Sequence, residues 1–145
     1  MRSSRFAISE RQASGAGAIS WLLAQTFWVG GLWLLKFLVL PALARLGLAP
    51  LLIEEIGATL TALLIGLAAC CVLLQLWVLV RVERLASLWR DLRGQLLLTV
   101  LLMAGGYFVV RQWWPDAQRW LLFSYLVSAF CGLLLVLQPV PVRRD

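Results

Sequence analysis

The stretch IGATLTALLIGLAACCVLLQLWVLV, residues 56–80, carries no charged side chain over 25 positions. As a helix rising about 1.5 Å per residue it reaches about 37 Å, more than the ~30 Å hydrocarbon core of a bilayer. Working outward, Pro50 suits the first position of a helix, so the span reads as 50–80. Three further runs have the same character, over 19–40, 95–114 and 120–138. The third is the weakest. Its charge-free apolar part covers only 96–110, so it must borrow Gln112, Trp113 and Trp114, with Arg111 snorkelling to the headgroups.

Composition leads to the same class. The chain is 62% hydrophobic and 14% charged, with a mean hydropathy of +0.89. A soluble domain has roughly 45–50% apolar and about 25% charged residues and could not bury this much apolar surface in water. The 145 residues therefore read as a single integral membrane domain, 1–145: an all-α bundle of four transmembrane helices.

The cations between the runs alternate heavy and light. Arg2, Arg5, Arg11, Arg81, Arg84, Arg90, Arg93, Arg143 and Arg144 fall on one side, and Arg45, Arg111 and Arg119 on the other. The positive-inside rule then predicts both termini in the cytoplasm, in a bacterial inner membrane. Trp21 and Trp77, with Trp89 just beyond, would mark the inner boundary, and Trp113, Trp114 and Trp120 the outer one. The net charge of +6 has its cause in this topology, so no nucleic-acid partner is expected. The basic inner surface would face anionic lipid. Ala42-Leu43-Ala44 resembles a cleavage site after a basic arm, but the apolar run is too long for a secretory signal, so retention is expected.

Between the second and third runs, Leu85, Leu88, Trp89 and Leu92 recur at helical spacing within Arg81 to Gly94, which predicts a short amphipathic helix at the inner surface. The alternative is a plain extension of the second helix. The stretch up to Gly17, rich in Ser, Gly and Ala, reads as a flexible arm. Gly30-Gly31, Lys36 and Pro41 are echoed by Gly105-Gly106, Arg111 and Pro115, but the second and fourth runs carry no matching echo, so no duplication is inferred.

Small residues four apart point to helix contacts in lipid, where close packing replaces the hydrophobic drive. Ala58, Ala62, Gly66 and Cys70 form one such row, and Ser124, Ser128 and Gly132 another; Gly30 and Gly31 add a contact face to the first helix. Each row would face a neighbouring helix, or a second copy of the chain.

On a helical wheel Gln25, Trp28, Leu32 and Lys36 form a polar stripe. Lys36 lies about 6 Å inside the outer end of its run, and Glu54 lies at a comparable depth on the next helix. An antiparallel hairpin predicts an ion pair between them, with Glu55 as the alternative partner; the competing reading leaves Lys36 snorkelling and both glutamates in water.

No catalytic, cofactor or metal site emerges. The chain has no histidine, and no nucleophile stands beside a base, so no enzyme is expected and no cofactor. Cys70, Cys71 and Cys131 fall near mid-span. Soft sulfurs suit monovalent copper, but Met103 is the only thioether nearby, and buried cysteine usually serves as a small apolar residue.

Trp28-Val29-Gly30-Gly31-Leu32-Trp33, followed by Val39-Leu40-Pro41-Ala42-Leu43, resembles the first helix of the small bacterial membrane family named domain of unknown function 4149, related to transmembrane protein 205. Trp28, Gly30, Gly31 and Pro41 carry the motif. The resemblance implies a multi-pass inner-membrane protein of four helices without an established activity. The plan is also similar to copper-resistance membrane domains, which rely on histidines absent from this chain. The expected function is accordingly that of a non-enzymatic accessory or assembly protein, working through helix contacts with another membrane protein or a second copy. The alternative is a small oligomeric transporter or channel whose path is lined by Lys36 and Gln25.

Overall fold

The computed structural model describes the backbone of residues 3–83 and 87–139 and the side chains of 15–81 and 89–139. Among the described residues it is all helical. Helix α1 (Ser3–Leu34) runs through a π-helical segment, Leu35–Val39, into α2 (Leu40–Arg45). Then follow α3 (Pro50–Glu83), the single turn α4 (Ser87–Arg90), α5 (Leu92–Trp113) and α6 (Gln118–Val136). Four stretches are long and apolar enough to cross a membrane: Gly15–Arg45, Pro50–Arg81, Leu92–Trp113 and Gln118–Val136. Short connections make sequential spans antiparallel neighbours, and α6 returns to pack on α1, closing the ring α1, α3, α5, α6.

The helix ends follow local chemistry. Gly47, at φ +70°, takes the left-handed position just past the C-terminus of α2, where a side chain would be strained. Three residues on, Pro50 opens α3, and the Ala49 carbonyl accepts from the N–H of Leu52 and of Ile53 at 3.0 and 3.1 Å. Pro115 follows Trp114, the residue capping α5, because the residue before proline avoids the helical region.

The π-helical segment has a local cause. Pro41 has no N–H to donate, and its ring would strike the carbonyl four residues back in a regular α-helix. The chain widens ahead of it, with the Leu40 N–H reaching back to the Leu35 carbonyl, and the helix passes Pro41 without ending. The first span thus continues to Arg45 rather than stopping at Leu40.

Two other expectations are corrected. Residues 3–14 are helical rather than a flexible arm. They contain no Gly or Pro, and extending an existing helix needs no new nucleus. The amphipathic helix expected over 81–94 is interrupted at Asp91, whose extended backbone (φ −95°, ψ 135°) starts α5 and assigns Arg93 and Gly94 to it; Arg81 to Glu83 belong to α3, as the alternative of an extended second helix has it, and Ser87–Arg90 form α4. Arg2, Arg84, Leu85, Arg143 and Arg144 lie outside the described residues.

The core is a seam down the bundle axis. The fully covered positions advance by alternating three- and four-residue steps: Trp21, Gln25, Trp28, Leu32 and Leu35 on α1 and its continuation; Ile65, Ala68, Val72, Gln75 and Leu79 on α3; Leu97, Val100, Ala104 and Tyr107 on α5. This is the repeat of 3.5 residues by which helices keep one face on a neighbour over many turns. α6 contributes small residues at the same places, Ser124, Ser128 and Gly132, each buried. A Cβ on Gly132 would lie 2.7 Å from Val29 Cγ2 and 2.8 Å from the Trp28 ring, so this glycine sets how closely α6 approaches α1.

Candidate functional site

The stripe read from the sequence divides at the π-helical segment. Gln25, Trp28 and Leu32 are buried in the seam, but the buried row then steps three residues to Leu35, 3% exposed, instead of four to Lys36. Lys36 is exposed on the outside of the bundle, and no ion pair joins it to Glu54 or Glu55. Glu54 has another partner. Its Oε1 accepts a hydrogen bond from Gln118 Nε2 at 2.7 Å, linking the start of α3 to the start of α6.

The packing rows also resolve. Ser124, Ser128 and Gly132 are all buried, Gly132 against Val29 and Trp28 of α1, with the Ser128 hydroxyl donating to the Ser124 carbonyl at 2.8 Å. Gly31 meets α3, its Cβ position 3.1 Å from Leu64 Cδ2, while Gly30 has open space around it. The α3 row stands at the flank of its helix: Ala58 and Cys70 are exposed, Ala62 and Gly66 half-buried, and a Cβ on Gly66 would sit 3.7 Å from Phe108. The face that α3 buries is instead the one through Ile65, Ala68 and Gln75, because the 3.5-residue repeat, not spacing by four, holds a long helix to its neighbour. Cys70, Cys71 and Cys131 are free thiols, respectively exposed, half-buried and buried.

Two buried polar links cross the seam. Trp28 Nε1 donates to Gln75 Oε1 at 3.1 Å, and Gln75 Nε2 donates to the Trp21 carbonyl at 3.3 Å. Trp21, expected at the membrane boundary, is therefore a core residue, 3% exposed; Trp77 stays outside, with the Arg81 guanidinium 4.1 Å above its ring. On the other side of α1 the Tyr125 hydroxyl donates to the Leu32 carbonyl, one turn before the helix widens. Gln75 was legible in principle, as the one amide in a charge-free run, and such residues usually face the bundle interior.

At the Pro50 end the helices part around a cavity of about 490 Å³, within the range of small-molecule sites. Leu40, Ile53, Gly57 and Leu121 furnish apolar wall, and Glu54, Gln118, Arg119, Thr61 and Tyr107 bring polar groups to it. Leu40 is carried over α3 by the widened turn, so close that a Cβ on Gly57 would lie 3.0 Å from it. Glu54 and Arg119 line the same cavity without forming an ion pair with each other.

Fold and site together define a bundle of four helices long and apolar enough to cross a membrane, with a packed seam and an amphipathic cavity at the Pro50 end. Comparison with protein-family models, with curated proteins and with solved structures returns no match.

Proposed function

We propose that this chain is a non-enzymatic accessory or assembly protein of a bacterial inner membrane, with both termini cytoplasmic and the Pro50 end outermost. Its kinship is read from Trp28, Gly30, Gly31 and Pro41 as that of the domain of unknown function 4149 family. The observation that carries the proposal is the burial of Gln25, Trp28 and Leu32 against the other helices, with Gln25 at 5% exposure and the other two at 0%. A solute path along this stripe would need space that packed indole and leucine side chains occupy. What the bundle offers instead is its outer surface, where Phe27, Leu63, Leu102 and Phe130 are all more than half exposed. Bulky apolar side chains suit contact with lipid, and among them Gly30, Ala58 and Cys70 are exposed small residues of the kind through which helices pack closely in a bilayer.

The test is reconstitution of the purified chain in proteoliposomes against a panel of anions, cations and lipophilic toxicants, with crosslinking in native membranes from Phe27 and Leu63. No flux above protein-free vesicles, together with one specific membrane protein or a second copy captured from those faces, is expected. Flux that Lys36→Gln abolishes would overturn the reading in favour of an oligomeric transporter.

A further inference from the structure

We propose that the cavity at the Pro50 end binds the headgroup of a zwitterionic phospholipid, its phosphate on Arg119 and its ammonium on Glu54. The inference needs only that the chain lies in a bilayer and stands apart from the accessory role. Glu54 and Arg119 both line the cavity and are both exposed, so a ligand can reach either charge, and neither is spent on the other. Glu54 uses one oxygen to accept from Gln118, leaving Oε2 without a partner among the described residues. Arg119 likewise has no hydrogen bond or ion pair to another described residue. The cavity therefore presents a carboxylate acceptor and a planar cation within one lining, the complement of a ligand that carries both signs.

Three features make the ligand a lipid rather than a soluble zwitterion. Much of the remaining lining is apolar, through Leu40, Ile53, Leu121 and Leu122, as suits the upper part of an acyl chain. Ala58 and Leu122 on the rim are exposed, so a chain can enter from the side. Trp113, Trp114 and Trp120, between 45% and 72% exposed at this same end, mark the depth at which headgroups lie. Among zwitterions the ethanolamine type fits best, because a primary ammonium can donate hydrogen bonds to the free Glu54 oxygen and a quaternary one cannot.

The experiment measures lipid binding to the purified full chain in detergent by native mass spectrometry. The probes are an ethanolamine phospholipid, the choline and glycerol phospholipids of the same chains, diacylglycerol, and soluble glycerophosphoethanolamine as competitor. The ethanolamine lipid should bind about tenfold more tightly than the glycerol lipid, the size of one charge-assisted hydrogen bond. Glu54→Gln, which keeps an acceptor for Gln118, should erase that preference, Arg119→Gln should weaken all the phospholipids towards diacylglycerol, and Arg45→Gln should change nothing. Equal binding of all four lipids, or a preference that survives Glu54→Gln and Arg119→Gln, would overturn the proposal. Displacement of the lipid by glycerophosphoethanolamine at equal concentration would overturn its lipid occupant.

Discussion

Trp28 and Gln75 meet in the middle of the bundle, the indole N–H donating to the amide oxygen at 3.1 Å where both side chains are fully buried. The amide group then uses its nitrogen on the Trp21 carbonyl, so one glutamine ties two turns of α1 to α3. Replacing it with leucine keeps the volume roughly constant but orphans the indole. Gln75→Leu is expected to cost about 1 kcal/mol in reversible unfolding from detergent, the scale of a buried hydrogen bond between membrane helices. Trp28→Phe in the same background should cost less than it does alone, and additive effects would show that the contact is not an energetic link.

Glycines on two different helices should respond oppositely to alanine. At Gly132 the added methyl would lie 2.7 to 2.8 Å from Val29 and Trp28, neither of which can swing away in a packed seam. A loss of about 1–3 kcal/mol is expected. Gly66→Ala places its methyl 3.7 Å from Phe108, an ordinary contact, and should leave the thermal midpoint unchanged or slightly raised. The comparison needs only melting curves of the two variants.

Adjacent polar residues on α6 should also differ. Ser124 Oγ is buried with no hydrogen-bond partner, so Ser124→Ala removes an unsatisfied group and should be neutral or stabilising. Tyr125→Phe deletes the donor to the Leu32 carbonyl at the head of the widened turn and should cost about 0.5–1.5 kcal/mol. Equal effects from the two would contradict this assignment of partners.

Lys36 and Glu54 should behave as strangers. With Lys36 on the outer surface and Glu54 held by Gln118, the effects of Lys36→Gln and Glu54→Gln on stability should add within about 0.5 kcal/mol. Glu54 and Gln118 should instead show coupling in the same measurement.

How far the molecule was legible in its sequence depended on the kind of signal. The four long apolar helices were readable because extended runs with almost no charge leave a chain few other solutions, and Pro50 marked a boundary because its missing N–H belongs there. Ser124, Ser128 and Gly132 were readable as a contact row because small side chains are the means of close approach. Lys36 was misplaced on the stripe because a wheel of regular α-helix cannot anticipate the wider turn before Pro41, nor the 3.5-residue step that gives its place to Leu35. Trp21 was misread because an indole near a span end looks the same whether it meets headgroups or a neighbouring helix. The Gln118 partner of Glu54 arrives from a helix 64 residues away, which no hairpin argument reaches. The cavity was invisible for the same reason, since its walls come from four segments.

The central claim is that the seam through Gln25 is dry and closed. It is tested most directly by Gln25→Cys in a background with Cys70, Cys71 and Cys131 changed to serine, probed in sealed membranes with a small membrane-impermeant thiol reagent from each side. No labelling at position 25 is expected from either side, while Gln118→Cys at the bundle end labels readily. Rapid labelling at position 25 would mean that water reaches Gln25 and that the seam is open.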